Sequence, residues 1–465
     1  MISINKPHNN NSLLIKIFLF FFFITSWLSI GTSYFNLIDF FYQSEITTLK
    51  IINLLRVLIN LLGFPILCYL FIKKIFEKKN NFFKSNLLFY APLCYFLAQI
   101  PGLLYTTNSL GNIIYIISAI NILIIVNLSV RIFKPNEIIW LIYISFILLL
   151  GVLLQSFIKD LYTYMFDPVA RFYGQINTIL NDSYIRSSGV SRIALILLII
   201  YSFFFKKFIK SKFFKIIPFF VFSLMIFLYQ SRAVIILLVL FILFITFFVD
   251  KFSLSKLFKY FCICIIIPFI ASSNITVLKL NNGENIRQLY NSAIENGYTG
   301  SQNDFQKKFI TIEKTLFCEI INCSNKSVRL NNADDVFTTS GRVDDWTKII
   351  DNFDYKNNLF FGYGSQGDRF LINQTASNGI LYALSSSGII GLLFFIIFSA
   401  IAGIKIVKYF LIKTEKNSIY IFSILIMIIF GVRSLVECSY AFFGIDFILF
   451  YTAFVLSEKY NIIKK

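Results

Sequence analysis

The sequence contains a single histidine, His8, which lies in the polar tail before the first apolar run. Histidine is the commonest general base in enzymes and, together with cysteine, the usual zinc ligand. A histidine base and a His/Cys zinc site are therefore excluded from the rest of the chain. The sequence also lacks a P-loop, a dinucleotide-binding fingerprint and a serine-hydrolase elbow. No metal site is predicted.

Charged residues are scarce, at 14% of the chain, whereas 57% of the residues are hydrophobic and the mean hydropathy is +0.73. This composition excludes an ordinary soluble protein and is typical of a polytopic membrane protein. The formal net charge of +19 does not indicate a nucleic-acid partner. The lysines cluster in short loops between apolar runs, as they do in cytoplasmic loops of membrane proteins. Membrane lipids are the expected surroundings.

A helix needs about twenty apolar residues to cross a bilayer. By that measure the sequence predicts an all-α polytopic membrane protein with about twelve transmembrane helices. The predicted spans are residues 13–34, 50–72, 86–106, 111–130, 136–158, 188–205, 212–229, 233–250, 256–273, 378–407, 418–433 and 439–457. The lysine-rich loops place both termini in the cytoplasm. The first run is interpreted as a retained helix, because no small-residue cleavage site follows it.

A long polar segment interrupts the apolar runs late in the chain. We divide the sequence into a membrane domain with spans 1–9 (residues 1–273), a large extracytoplasmic loop (274–377) and a membrane domain with spans 10–12 (378–465). Such long loops are usually functional, because ordering so much polar backbone is costly. Amphipathic stripes predict two helices in the loop, one from Phe305 to Ile320 and one from Val343 to Phe353.

Cysteine positions give little indication of function. Small buried apolar side chains are expected at the cysteines in or beside apolar runs. These are Cys68, Cys94, Cys262, Cys264 and Cys438. Cys318 and Cys323 both lie in the long loop and would be able to pair in an oxidising compartment. Their spacing alone does not decide whether a disulfide forms.

Charged residues on the predicted extracytoplasmic face are candidates for function, because charge near a bilayer is costly. They are Arg186, Arg192, Arg232, Arg342, Arg433, Glu437 and Asp446. Arginine presents fixed bidentate donors that suit a phosphate or pyrophosphate, although each arginine could instead snorkel to lipid headgroups. Arg433 and Glu437 are four residues apart and would share one helix face. A structural ion pair and a catalytic role are both open for this pair.

Three motifs in and after the loop carry a family resemblance. They are Ser340-Gly341-Arg342 with Trp346, then Phe361-Gly362-Tyr363-Gly364, then Ser377-Asn378 followed after nine residues by Gly388-Ile389-Ile390-Gly391. The glycine-rich segment 362–367 is interpreted as a turn and not as a phosphate cradle. In this order and spacing, the motifs resemble the large periplasmic loop and following helix of the O-antigen polymerase and O-antigen ligase superfamily. Supporting matches begin at Arg186, Ser231 and Arg433.

The resemblance implies an all-helical, C-type glycosyltransferase of the bacterial inner membrane, with its large loop in the periplasm. It implies a donor oligosaccharide linked to undecaprenyl pyrophosphate, and no metal or other cofactor. Ligases of the superfamily have histidine before the asparagine of the last motif, whereas this chain has Ser377. A serine hydroxyl is too weak a base for that role, so the polymerase branch is favoured. Such a polymerase would join repeat units of a surface polysaccharide, and a chain-length regulator is a candidate partner.

The expected roles of the residues follow from position and side-chain chemistry. Arginines are expected to stabilise the pyrophosphate that leaves. These are Arg186, Arg232 and Arg342, with Arg192 as a further candidate. The candidate bases are Glu437 first, then Asp344 or Asp345. Trp346, Ser377 and Asn378 are expected to hold the acceptor sugar.

Two rival functions stay open. Transfer of polysaccharide to lipid A core or to a protein, as a ligase does, is the rival within the same class. A repeat-unit flippase is the rival from another class, since such transporters also have about twelve spans. A flippase would be expected to carry charges at the membrane midplane, whereas the charges here crowd one face.

Overall fold

The computed structural model describes residues 10–28, 48–77, 87–105, 109–166, 175–178, 181–184, 187–249, 253–274, 342–372, 374–411 and 417–461. The predicted helix from Phe305 to Ile320 lies outside these residues, as do Cys318 and Cys323. The chain forms two compact units, one of Met1–Ser145 with Ala333–Lys465 and one of Phe146–Asn332. The division into domains at residues 273 and 377 stays a prediction.

Helices make up most of the described chain. In chain order they are α1 (Asn10–Leu28), α2 (Thr48–Glu77), α3 (Leu87–Leu97), α4 (Ser109–Ile132), α5 (Pro135–Phe166), α6 (Ser187–Ile200), α7 (Ile217–Leu228), α8 (Arg232–Phe244), α9 (Leu254–Phe261), α10 (Arg342–Asn352), α11 (Gly367–Ile372), α12 (Gly379–Leu411), α13 (Ser418–Arg433) and α14 (Ile445–Asn461). Short 3₁₀ helices cover Pro101–Tyr105 and Ser439–Ala441, and π-helical segments cover Tyr201–Phe205, Ile245–Val249 and Cys262–Ile266.

Within the part of the chain that the structure describes, six helical stretches are long and apolar enough to cross a membrane. They are Gly111–Ile132, Glu137–Ile158, Ser188–Phe205, Arg232–Val249, Leu254–Asn274 and Gly379–Leu411. Shorter apolar helices lie at four more of the predicted spans: Leu61–Lys73, Phe89–Tyr105, Ile217–Leu228 and Ser418–Arg433. The protein is thus a polytopic membrane protein, as its composition predicts. The total of about twelve spans stays a prediction.

One element departs from the all-helical prediction in the described residues. Strands β1 (Gln175–Thr178) and β2 (Asn181–Tyr184) pair antiparallel, with Gln175 opposite Tyr184 and Thr178 opposite Asn181. They lie between α5 and α6, where the sequence predicts a loop. The pairing supplies backbone hydrogen bonds to a polar connection that no helix provides.

Helix α4 is the centre of the first unit. It contacts α1, α2, α3 and α14, and 89% of its most apolar stretch is buried inside the protein. A helix that is apolar on every face suits this position, because neighbouring helices surround it. At its C-terminal end, Lys459 of α14 donates to the carbonyl oxygens of Val130 in the last turn and of Phe133 just after the helix, at 2.5 and 2.8 Å.

Helix α12 is broken at Gly388, whose backbone has φ 62° and ψ −164°. The segment 359–364 runs alongside this break and pairs with it through the backbone. The hydrogen bonds are Tyr363 N to Ser385 O (2.8 Å), Gly364 N to Ser386 O (3.0 Å), Ile389 N to Leu359 O (2.8 Å) and Ile390 N to Phe360 O (3.2 Å). Polar backbone groups at a break in a membrane helix need such partners. The break therefore docks the last part of the long loop onto α12.

Glycines allow the close approach of these segments. Gly362 and Gly364 have φ of 63° and 86°, which confirms the predicted turn. A side chain at Gly102 would overlap the backbone of Tyr363 and Gly364. The two glycines of the Gly388–Gly391 motif differ in purpose. Gly388 supplies a backbone conformation, and Gly391 leaves room for the side chain of Ser387, which a Cβ at position 391 would overlap. The loop thus packs closely against the 3₁₀ helix Pro101–Tyr105 and against α12.

The second unit contains α6 to α9 and most of α5. Helix α6 packs on α7 and α8, and its residues Val190 and Ile193 to Ile200 are buried. Helix α5 runs further than predicted, to Phe166, and carries Asp160 as a buried residue at 2% exposure. Tyr229, at the end of α7, donates its hydroxyl to Asp160 Oδ2 at 2.7 Å. Asp160 thus anchors the turn that leads into α8.

We predict that Gly388→Ala destabilises the protein, whereas Gly403→Ala in the same helix does not. Gly388 occupies a region of φ/ψ space that is essentially restricted to glycine, and a Cβ there would overlap the backbone of Phe360 and Phe361. The backbone conformation alone is expected to cost about 1–3 kcal/mol, and the overlap adds to that cost. A Cβ at Gly403 meets nothing within 4 Å, so Ala should stabilise by roughly 0.5–1 kcal/mol. Thermal unfolding in detergent measures both, and equal melting temperatures would contradict the account of the break.

Candidate functional site

Several motif residues lie around Asn378, the N-cap of α12, and we call this place the Asn378 corner. Asn378 Oδ1 accepts hydrogen bonds from the N–H groups of Ile380 (2.8 Å) and Leu381 (3.1 Å). This is the usual N-cap arrangement, which satisfies backbone donors at a helix start. Ser377, immediately before it, is 3% exposed and has a φ of 51°. The backbone is therefore tightly constrained where the superfamily motif begins.

The chain after α13 attaches to the same corner. Asn378 Nδ2 donates to the carbonyl oxygen of Leu435 at 3.1 Å, and Gly379 N donates to that of Ser434 at 2.8 Å. These contacts place the segment 433–437 against the start of α12. Two motifs that are more than fifty residues apart in sequence are thereby brought together.

Arg342 and Glu437 form an ion pair across this assembly. Arg342 Nη2 donates to Glu437 Oε1 at 3.1 Å, with side-chain exposures of 28% and 15%. Arg342 opens α10, and Glu437 follows α13, so the pair connects the long loop to the membrane helices. Both were candidate site residues from sequence, and the structure brings them together.

The first turn of α10 carries the other predicted residues of the loop. Asp344 is exposed, whereas Asp345 Oδ1 accepts a hydrogen bond from Gln374 Nε2. Trp346 is half-buried, and its indole N–H finds no acceptor among the described residues. The predicted amphipathic stripe is correct in part, because Ile349 is fully buried and Ile350 is 45% exposed. Helix α10 is thus held at both Arg342 and Asp345.

Arg433 does not pair with Glu437 in the described structure. Its guanidinium contacts the carboxylate of Asp446, and the two side chains are only 4% and 2% exposed. The backbone makes one more turn after α13, since Glu437 N donates to Arg433 O at 2.9 Å, but the two side chains have different partners. The structural ion pair that the sequence left open for Arg433 and Glu437 is formed instead by Arg433 with Asp446. Glu437 contacts Arg342.

Asp368 is a buried acid that sequence reasoning missed. It is 1% exposed at the start of α11 and accepts hydrogen bonds from Arg369 N (2.9 Å) and Ala376 N (2.8 Å). Burial raises the pKa of Asp368 to about 6, although those N–H groups and the charge of Arg369 oppose the shift. Asp368 resembles an ordinary polar residue in a polar loop, so the sequence offered no signal of its burial.

Cys438 completes the polar surroundings of the corner. Burial raises the pKa of its thiol, with the charges of Asp368 and Glu437 acting in the same direction. The backbone N–H groups of Ser377 and Asn378 face the sulfur and oppose the shift. The thiol is therefore neutral at physiological pH and acts as a weakly polar packing group.

The second unit holds the remaining predicted arginines that the structure describes. Arg192 is half-buried on α6, and Arg232 is exposed as the first residue of α8. Gln230, two residues earlier, has a φ of 51°, so the turn before Arg232 is as constrained as the turn at Ser377. Arg186 lies outside the described residues. Among the described residues, no group of three or more His, Cys, Asp and Glu side chains is arranged to hold a metal ion.

Residues 217–396 match the family model described as O-antigen ligase. The matched segment runs from α7 into α12 and contains the three motifs on which the resemblance rests. This match confirms the predicted resemblance to the O-antigen ligase and polymerase superfamily. Members of this family are glycosyltransferase-like enzymes. No curated protein matches the chain.

The two ion pairs are expected to differ sharply in their contribution to stability. Asp446→Ala leaves the buried guanidinium of Arg433 unpaired and should lower the free energy of unfolding by about 3–5 kcal/mol. Glu437→Gln affects a more accessible pair and should cost about 1 kcal/mol or less. Thermal melts of both variants in the same detergent check this difference. Recovery of stability in Arg433→Met with Asp446→Leu would support the pairing, and equal losses in the two single variants would contradict it.

Proposed function

We propose that this protein is a polymerase that joins undecaprenyl-pyrophosphate-linked repeat units of a surface polysaccharide at the periplasmic face of the bacterial inner membrane. The observation that carries the proposal is the Arg342–Glu437 contact beside the Asn378 corner. This contact brings three separate motifs of the superfamily together. Arg342 pairs with the carboxylate of Glu437, and the indole N–H of Trp346 lies about one helical turn from Arg342 on α10. We propose a membrane orientation in which the long loop is periplasmic and both termini are cytoplasmic.

The reaction requires one bond to form and one to break. A hydroxyl of the acceptor sugar attacks the anomeric carbon of the donor chain, and the bond from that carbon to the pyrophosphate oxygen breaks. Undecaprenyl pyrophosphate leaves with the electron pair, and the hydroxyl proton passes to a base. Fixed positive charge near the leaving oxygen lowers the barrier, because it is positioned before the charge develops.

Arg342 is the first candidate for that charge. Its guanidinium can present two parallel donors to a phosphate oxygen pair, and 28% of its side chain is exposed. For Arg232, Arg192 and Arg186, which belong to the second unit, pyrophosphate binding stays the role proposed from the sequence. Arg232 is exposed at the start of α8, where the N-terminal end of the helix also favours an anion.

Glu437 is the first candidate for the base. Its carboxylate is held by Arg342 at 3.1 Å, and a donor pyrophosphate would compete with it for that guanidinium. Binding of the donor would then free the carboxylate to accept the proton. Asp345 is engaged by Gln374, and Asp344 is exposed, so both rank below Glu437.

The acceptor sugar is assigned first to Trp346. An indole presents an apolar face to a sugar ring and a single N–H donor to a hydroxyl. Asn378 uses its oxygen for the helix cap and its amide nitrogen for Leu435, and Ser377 is nearly buried. We therefore assign Ser377 and Asn378 to shaping the acceptor side of the site.

Ligation is the second candidate, because the matched family model is that of O-antigen ligase. Ser377 stands where ligases of the superfamily have their histidine, and this substitution favours polymerisation. A chain-length regulator would be the natural partner of a polymerase. A deletion strain separates the two functions by its glycolipids.

We expect the deletion strain to accumulate lipid-linked single repeat units and to lose the ladder of longer chains on a glycan gel. Complementation with the wild-type gene should restore the ladder. Long polymer that stays linked to undecaprenyl pyrophosphate would instead identify a ligase. An unchanged ladder in the deletion strain would exclude both functions.

In the complemented strain, we expect Arg342→Ala to slow polymerisation on the order of 100-fold, because one preorganised charge is lost from the leaving group. Arg342→Lys should recover only part of this loss, since lysine lacks the bidentate fork. Lys348→Ala is the matched control, as Lys348 is an exposed cation on the same helix α10. Chain-length distributions at equal protein levels measure the effect. A wild-type distribution in Arg342→Ala would remove Arg342 from the site.

A further inference from the structure

Asp368 connects two ends of the loop that leads into α12. Its Oδ2 accepts the N–H of Ala376 at 2.8 Å, and Ala376 directly precedes Ser377 and the cap residue Asn378. Its own helix, α11, follows the segment that is paired with the break in α12. The carboxylate therefore ties residues 376–378 to the most firmly anchored part of the loop.

The turn that Asp368 holds is conformationally costly. Ser377 has a φ of 51°, a region that residues other than glycine adopt only when their surroundings impose it. Ala376 is completely buried and Ser377 is 3% exposed. The residue before this position, Ala376, donates its N–H to the buried carboxylate of Asp368, and this hydrogen bond helps to keep the turn in place.

We infer that Asp368 is a positioning residue, whose carboxylate holds the Ala376–Asn378 turn and thereby orients the acceptor side of the site. This inference rests on the proposed polymerase function. Asp368 is buried and acts through the turn, and it is not assigned to the reacting atoms.

The surroundings of Asp368 determine when it is ionised. The groups within electrostatic range are contributed by several elements: Tyr95 of α3, Tyr115 of α4, Arg369 of α11, Tyr382 of α12, and Cys438. Only Arg369 among them is charged at neutral pH. Burial is the largest influence and raises the pKa of Asp368 from 3.8 to about 6.

The sign of the pH effect separates positioning from stability. Below about pH 6 Asp368 becomes protonated in the folded protein. The neutral carboxyl then holds the N–H groups of Arg369 and Ala376 more weakly, because one oxygen becomes a donor and the charge that strengthens both hydrogen bonds is lost. Activity is therefore lost as the pH falls. Stability moves the other way, because a raised pKa means that the folded state binds this proton more tightly than the unfolded state. As the pH falls from 7 to 5, the protonation of Asp368 should therefore raise the melting temperature.

The test uses the full-length protein in detergent, with single-repeat glycolipid purified from the deletion strain as the substrate. For the wild type, we expect the turnover number to fall reversibly below about pH 6, with no decrease in melting temperature. Asp368→Asn keeps the shape, but it replaces one of the two acceptor oxygens with an NH₂ donor and removes the charge. It should lower the turnover number at pH 7.5 roughly tenfold, as for loss of one buried hydrogen bond, with KM for the glycolipid unchanged and the acid limb near pH 6 removed.

Asp351→Asn is the matched control, because Asp351 is an exposed acid on α10 outside the site, and it should behave as the wild type. An Asp368→Asn protein with wild-type turnover, or with an unchanged acid limb, overturns the inference. If this variant does not fold, a wild-type rate that is constant from pH 7.5 to pH 5 overturns it instead. If the wild type makes no polymer from the glycolipid, the proposed function itself fails, and the two failures are thus distinguishable.

Discussion

The backbone pairing between segment 359–364 and the break in α12 is the constraint on which the rest of the first unit depends. A helix that crosses a bilayer cannot leave its N–H and C=O groups without partners. Gly388 interrupts α12, and the released groups of residues 385–390 are taken up by a loop that runs beside them. The break and the loop therefore require each other. Neither would be stable in a bilayer alone.

The candidate site is built outward from this pairing. Ser365 follows the paired segment, and its hydroxyl donates to the side chain of Asn112 of α4 at 2.5 Å. The carbonyl oxygen of Ser365 accepts a hydrogen bond from the hydroxyl of Tyr382. Asp368 of α11 then accepts the N–H of Ala376, just before α12. Asn378 donates to the carbonyl oxygen of Leu435, in the segment after α13. Arg342 joins last, through Glu437. Together, these contacts explain how the described part of the polar loop is held against apolar helices.

Sequence reasoning was most successful where the physical signal is local. Apolar runs of bilayer length predicted helices such as α5, α6 and α8, because crossing a membrane is a requirement on length and composition alone. The turn at Gly362 and Gly364 and the helix α10 were also predicted from local pattern. The site was predicted in part, since Arg342, Glu437 and Asn378 were named from short motifs and lie together in the structure.

Sequence alone determined that this is a membrane protein with a long polar segment late in the chain, because hydropathy and motif order are properties of the chain itself. Only the tertiary structure decided which charges meet. Arg433 contacts Asp446, and Glu437 contacts Arg342, which lies 95 positions away in the sequence. The burial of Asp368 likewise depends on α11 folding back onto α12. Long-range packing sets these electrostatic partners, and no local pattern in the chain encodes it.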